Sequence, residues 1–118
     1  MRHIESELQR NCVTWFRLCY PALRLNLFAV PNGGRRNRVE ASIMKAEGVV
    51  AGVADLLLLY PSLGYHGLCI EMKTPKGYQR DTQKEWQRAV EEHCYKYIIV
   101  RSFDQFRAEV SRYIKGRI

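Results

Sequence analysis

Gly48-Val49-Val50-Ala51-Gly52-Val53-Ala54-Asp55-Leu56-Leu57-Leu58-Leu59-Tyr60 and, beyond the turn Pro61-Ser62-Leu63-Gly64, Leu68-Cys69-Ile70-Glu71-Met72-Lys73 are two apolar runs. A glycine-flanked aspartate opens the first, and Glu-Met-Lys closes the second. Residues 56–60 are uniformly apolar, as a central strand covered on both faces is, and residues 68–72 read as its antiparallel neighbour. Alternate side chains of a strand share a face, so Glu71 and Lys73 point one way and Met72 the other. In such a hairpin Asp55 comes level with Glu71, and two carboxylates and a lysine converge at one edge of the sheet. Like charges this close raise each other's pKa unless a cation lies between them, and an oxygen-only ligand set suits Mg²⁺ or Mn²⁺. Lys73 can then supply positive charge to a transition state or orient a water. Taken singly, each residue also reads as an ordinary feature: Asp55 as the cap of a turn, Glu71 and Lys73 as a solvated pair.

Outward from this hairpin, the periodicity alternates between helix and strand. Ile4, Leu8, Cys12, Trp15 and Cys19 recur at helical spacing and predict a first helix ended by Pro21, with Glu7 on the same stripe and Glu5 pointing away. Residues 25–30 form a short strand closed by Pro31 and the turn Asn32-Gly33-Gly34. Asn37 with Glu40 makes a capping box for a second helix whose buried side is Val39, Ile43 and Ala46, and Gly48 stops it. Thr82 with Glu85 opens a third helix burying Trp86, Ala89, Val90 and Cys94. Residues 97–100 are a strand, and Ser102 caps a last helix carrying Phe103, Phe106, Val110 and Ile114.

With 118 residues, no repeat and no linker-like stretch, residues 1–118 are expected to form a single α/β domain. No apolar run approaches the roughly 18 to 20 residues that span a bilayer, and no signal-peptide core opens the chain, so an intracellular protein without membrane association is expected. The four cysteines are scattered and form no close Cys-x-x-Cys pair, which argues against a disulfide framework or a structural zinc site. The three histidines are equally dispersed. A net charge of +7 with a pI near 9.5 favours a polyanionic partner, nucleic acid first. Arg35, Arg36 and Arg38 beside Gly33 and Gly34 suit phosphates, and Lys45, Lys76 and Arg80 extend the basic surface.

The order Glu7, Asn32-Gly33-Gly34-Arg35, Lys45-Ala46-Glu47-Gly48, Gly52-Val53-Ala54-Asp55, Glu71-Met72-Lys73 and Gln83 with Trp86 resembles the stand-alone phage type of VRR-NUC domain. This is the virus-type replication-repair nuclease family of the PD-(D/E)XK superfamily, and the resemblance spans nearly the whole chain. It implies a restriction-endonuclease-like core, a small mixed sheet flanked by helices, and a Mg²⁺- or Mn²⁺-dependent endonuclease acting on duplex or branched DNA, four-way junctions included. It further implies that Asp55, Glu71 and the backbone carbonyl of Met72 ligate metal, with Glu7 contributing directly or through a water. Lys73 is implied to be the catalytic lysine, and Gln83 to match the glutamine that opens the following helix. Ala54 stands where the superfamily name expects proline, a change that affects the turn and no ligand. A homodimer is expected, setting two sites against a two-fold substrate. The rival reading is a non-catalytic nucleic-acid-binding module on the same fold, against which the intact Asp55, Glu71 and Lys73 argue.

Overall fold

A computed structural model describes residues 2–31 and 37–116, the side chains of residues 2 and 3 excepted. The elements run α1 (Arg2–Cys19), β1 (Leu27–Ala29), α2 (Arg38–Ala46), β2 (Leu56–Leu58), β3 (Leu68–Met72), α3 (Asp81–Glu91), β4 (Lys96–Val100) and α4 (Phe103–Lys115), with a 3₁₀ turn at Pro21–Leu23. This is the element order expected from the periodicities. The strands form one mixed sheet in chain order: β1–β2 and β2–β3 pair antiparallel, and β3–β4 pair parallel across the α3 crossover. The architecture is α/β and consistent with a restriction-endonuclease-like core.

The two sheet faces are covered differently. On one, Leu27, Leu56, Leu58, Leu68, Ile70, Met72, Ile98 and Val100 pack against Cys12 and Phe16 of α1 and Phe106, Val110 and Tyr113 of α4. Trp15 packs edge-on to Tyr20, Phe103 and Phe106, with centroids 5.9 to 6.3 Å apart, and so belongs to this core. Two hydrogen bonds moor α4 to the loop after β2: the Tyr113 hydroxyl donates to the Tyr60 carbonyl at 2.7 Å, and the Ser62 hydroxyl donates to the Tyr113 carbonyl. The other face carries Cys69, Glu71 and Tyr97, and α3 covers it through Trp86 and Val90. That cover stops short of β1 and β2. An apolar cavity of about 320 Å³ opens there between Leu57 and Leu59 on one side and Trp86, Val90 and Tyr95 on the other.

Three helix faces differ from the sequence expectation. In α1 the buried positions are Cys12 and Phe16, while Ile4 and Cys19 are exposed. The reason is azimuth: the helix meets the sheet along the line through Cys12 and Phe16, which lies to one side of the stripe read from Ile4. In α2 the Asn37–Glu40 capping box forms as expected, the Glu40 N–H donating to Asn37 Oδ1 at 2.7 Å. Yet no residue of α2 is buried: Val39 is 67% exposed, Ile43 52%, and Ala46 is exposed too. Amphipathicity records an apolar face without saying whether the same chain covers it. The third helix begins at Asp81, one residue before the proposed Thr82 cap, and it is the Arg80 N–H that the Gln83 side chain accepts, at 2.7 Å. Trp86 and Val90 face the sheet, but Ala89 is exposed, and so is Cys94, because the helix ends at Glu91 and Cys94 turns into a left-handed conformation at φ 66°.

Gly52 ties the Asp55 turn to α3. Its φ is +89°, and a Cβ there would sit 2.2 Å from the Thr82 carbonyl oxygen. Gly48, at φ +104°, faces open space. Backbone strain of this kind is worth about 1 to 3 kcal/mol on its own. Gly48→Ala is therefore expected to lose only that, whereas Gly52→Ala, which adds a backbone clash, is expected to lose more or fail to fold; urea titrations of the two variants compare them directly.

Candidate active site

The β2–β3 ladder ends at the Leu56–Ile70 pair, and continuing its register by one residue sets Asp55 beside Glu71. The Lys73 N–H is used across β4, donating to the Val100 carbonyl at 3.0 Å, so the Met72 N–H faces the β2 side. With β2 already ended, the Asp55 carboxylate takes that N–H: Met72 N donates to Asp55 Oδ2 at 2.6 Å. Asp55 is half-buried at this edge.

Glu71 lies in a strand whose every residue is buried and is itself 0% exposed. A carboxylate so placed requires partners. Its Oε1 accepts from Gln79 Nε2 at 3.1 Å and from the Tyr97 hydroxyl. Its Oε2 is buried and accepts no hydrogen bond among the described residues; the nearest cation is Lys73 Nζ, an ion-pair contact at 3.5 Å. Lys73 is itself only 8% exposed. Asp55, Glu71 and Lys73 thus converge as the alternation of β3 requires, with one carboxylate oxygen left open toward the group.

Burial is the main influence on the Asp55 carboxyl and pushes its pKa above the ordinary carboxylate value. The Met72 N–H opposes this, the negative charges of Glu5 and Glu71 add to it, and Lys73 offsets part. The Tyr97 phenol is pushed up first by burial and then by its contact with Glu71, so it stays protonated and donating. Burial also pushes the Cys12 and Cys69 thiols up to about 12, which leaves neither as a thiolate nucleophile at neutral pH.

Among the remaining expected residues, Glu7 is exposed, and the first-helix acid acting on Asp55 is Glu5, half-buried. The expectation that Glu5 points away is corrected by the helix azimuth. Glu5 stands seven residues before Cys12, two turns along the same face, whereas Glu7 falls on the opposite side. Gln83 is buried, but its carbonyl oxygen caps Arg80; the glutamine that reaches Glu71 is Gln79. Among the described residues no three His, Cys, Asp or Glu side chains close on one point as a metal cluster. Glu5 therefore acts from further out than Asp55 and Glu71. Asn32, Gly33, Gly34, Arg35 and Arg36 lie outside the described residues, while Arg38, Lys45, Lys76 and Arg80 are exposed. Of Glu5, Gln79 and Tyr97, only Glu5 carries a signal in the sequence: a helical wheel centred on Cys12 and Phe16 places it inward.

A solved structure of a VRR_NUC domain protein superposes on this chain with a TM-score of 0.84 at 26% sequence identity, covering 96% of this chain and 89% of that one. No family model and no curated protein matches the sequence. The likeness suggests a nuclease-type domain, and the mixed four-stranded sheet with its helices is consistent with a restriction-endonuclease-like core. That likeness, over nearly the whole chain, supports a VRR-NUC domain.

The raised pKa of Asp55 has a definite sign for stability. A carboxyl whose folded pKa exceeds its unfolded value destabilises the fold when ionised, and that penalty fades as pH falls toward the ordinary value of 3.8. Asp55→Asn keeps an acceptor for the Met72 N–H and removes the charge. In EDTA it is expected to be more stable than the wild type at neutral pH, with the gap closing as pH drops toward about 4. Urea midpoints across that range test this; a less stable variant at neutral pH would mean that the Met72 bond to a full charge outweighs burial.

Proposed function

We propose that the chain is a Mg²⁺- or Mn²⁺-dependent DNA endonuclease, selective for branched DNA such as a four-way junction. One observation carries this reading: the buried Glu71 Oε2 accepts no hydrogen bond and lies beside a second carboxylate and a lysine. An open oxygen at 0% exposure is costly unless a cation completes it. The donor set is oxygen, as hard divalent cations prefer, so the residues fit such an ion. Asp55 and Glu71 would hold it, with the Met72 carbonyl beside them and Glu5 contributing through a water. When bound, the ion supplies neutralisation of phosphate charge and acidification of a water.

The protein's own part is placement and charge. Asp55 is held through Oδ2 by the Met72 N–H. Lys73, its stem buried against the strand end, keeps a fixed ammonium near Glu71 Oε2 and can stabilise charge developing on a phosphoryl oxygen. Buried polar partners exclude bulk water from Glu71 and strengthen these interactions. Exposed Arg38, Lys45, Lys76 and Arg80, together with Arg35 and Arg36 in the sequence, supply sequence-independent phosphate contacts in a chain of net charge +7.

A homodimer fits two unpartnered features of the fold. No residue of α2 is buried, with Val39 and Ile43 exposed, and the sheet face at Leu57 and Leu59 opens on the apolar cavity bordered by Trp86 and Val90 of α3, with no helix over it among the described residues. Exchange of α2 between two copies would satisfy both by an isologous contact. Charge agrees with this: α2 carries Arg38 and Lys45 against Glu40, whereas α3, which borders the open face, carries Asp81, Glu85 and Glu91 against Lys84 and Arg88. Light scattering is expected to report a dimer for the wild type and a folded monomer for Ile43→Glu and for Leu59→Glu. A wild-type monomer at micromolar concentration removes the proposal.

For the activity, linear duplex, flap and four-way-junction DNA are incubated with Mg²⁺, Mn²⁺ or EDTA. Cleavage is expected only with metal and fastest on the junction. Lys73→Ala is expected to lose at least about two orders of magnitude in rate, in line with removal of a preorganised charge from a transition state. Glu5→Gln is expected to be slowed tenfold or more, and Glu7→Gln to remain near wild type. Cleavage that persists in EDTA overturns the site; tight binding without cleavage supports the binding-module reading; loss with Glu7→Gln alone restores the first-helix assignment made from the sequence.

A further inference from the structure

Glu71 is held by two groups outside the acid-and-lysine set. The Tyr97 hydroxyl and Gln79 Nε2 both donate to the same oxygen, Oε1, and neither reaches Oε2. Tyr97 stands on β4, where the parallel register sets it beside Cys69, two residues before Glu71 on the same face. Gln79 comes from the segment between β3 and α3 and is itself anchored. Its Nε2 also donates to Gln87 Oε1 at 2.8 Å, and Gln87 Nε2 donates to Glu91 Oε2 at 3.1 Å. The two Nε2 hydrogens of Gln79 are thereby matched to two acceptors.

From this geometry we propose that Gln79 and Tyr97 are positioning residues that lock the Glu71 carboxylate through Oε1 and present Oε2 alone to a divalent cation. The proposal rests on the reading of Glu71 as a metal-holding acid. A free carboxylate rotates about its last bond and exchanges its oxygens; two donors on one oxygen, arriving from different elements, stop that rotation. Lys73 Nζ at 3.5 Å from Oε2 is too loose to fix it as a hydrogen bond would, so orientation falls to the opposite oxygen. Such outer partners set how well a ligand is aimed, and their loss typically weakens metal affinity about 10- to 100-fold.

Tyr97→Phe removes the donor while its ring keeps its place against Trp86, whose centroid lies 6.1 Å away. Gln79→Ala removes the second donor from a half-buried position between elements. Mn²⁺ binding to the wild type, Tyr97→Phe, Gln79→Ala and Glu71→Gln is measured without DNA, by electron paramagnetic resonance and calorimetry, with circular dichroism as a check on folding. The expected result is a roughly tenfold or greater loss of Mn²⁺ affinity in Tyr97→Phe and a several-fold loss in Gln79→Ala. In turnover, kcat at fixed Mn²⁺ falls, KM for DNA is unchanged, and raised Mn²⁺ rescues the rate. Wild-type affinity in both variants, with Glu71→Gln impaired, overturns the positioning role and leaves the metal site standing. Undiminished Mn²⁺ binding by Glu71→Gln overturns the metal reading and the positioning role with it.

Discussion

The pairing of β2 with β3 governs both the core and the site. Its register sets Leu56 against Ile70 and Leu58 against Leu68 on the buried face, and the same register brings Asp55 to the end of β3. There the Asp55 carboxylate accepts the Met72 N–H as a strand residue's carbonyl would. A slip of one residue would turn every side chain of β2 to the other face, burying Leu57 in the main core and carrying the aspartate away from Glu71. Hydrophobic burial therefore enforces the placement of the acids: the leucines that stabilise the sheet also select the one alignment in which two carboxylates and a lysine meet.

That meeting is costly to the fold. Burial and the neighbouring charge of Glu71 oppose ionisation of Asp55, and donors surround both acids: Tyr97 and Gln79 on Oε1 of Glu71, Met72 on Asp55, and the Lys73 ammonium near Oε2 of Glu71. One oxygen is left without a hydrogen bond among the described residues. Natural sheets rarely keep such an atom at 0% exposure, and its survival in a strand of apolar residues is the physical mark that separates this edge from an incidental ion pair.

The sheet is also unevenly clothed. Helices α1 and α4 complete one face, whereas α3 covers the β3–β4 half of the other and leaves Leu57 and Leu59 beside an open cavity. Helix α2 is well capped, but none of its residues is buried. Helix α3 serves as both crossover and cover for β3–β4, and among the described residues no helix covers the same face of β1–β2. No helix among the described residues is long and apolar enough to cross a membrane.

Much of this was readable from residues alone because the relevant constraints are local. Period-two alternation after a glycine turn was enough to align Glu71 with Lys73 and to bring Asp55 level with them. The caps at Asn37 and Ser102 follow from side chains that reach backbone three residues away, at 2.7 and 3.1 Å. What local periodicity leaves undetermined is absolute rotation. It relates Glu5 and Glu7 to Cys12 by angle, but which of them looks inward depends on where α1 meets the sheet, and packing of Cys12 and Phe16 on the leucines settles that for Glu5. In the same way Gln79 and Tyr97 are separated from Glu71 by 8 and 26 positions, and nothing in their own segments points to it. The sequence carries the acids, the lysine and the strands that align them; the partners that aim Glu71 exist only once β4 and the segment before α3 close around it, because long-range proximity is a product of packing.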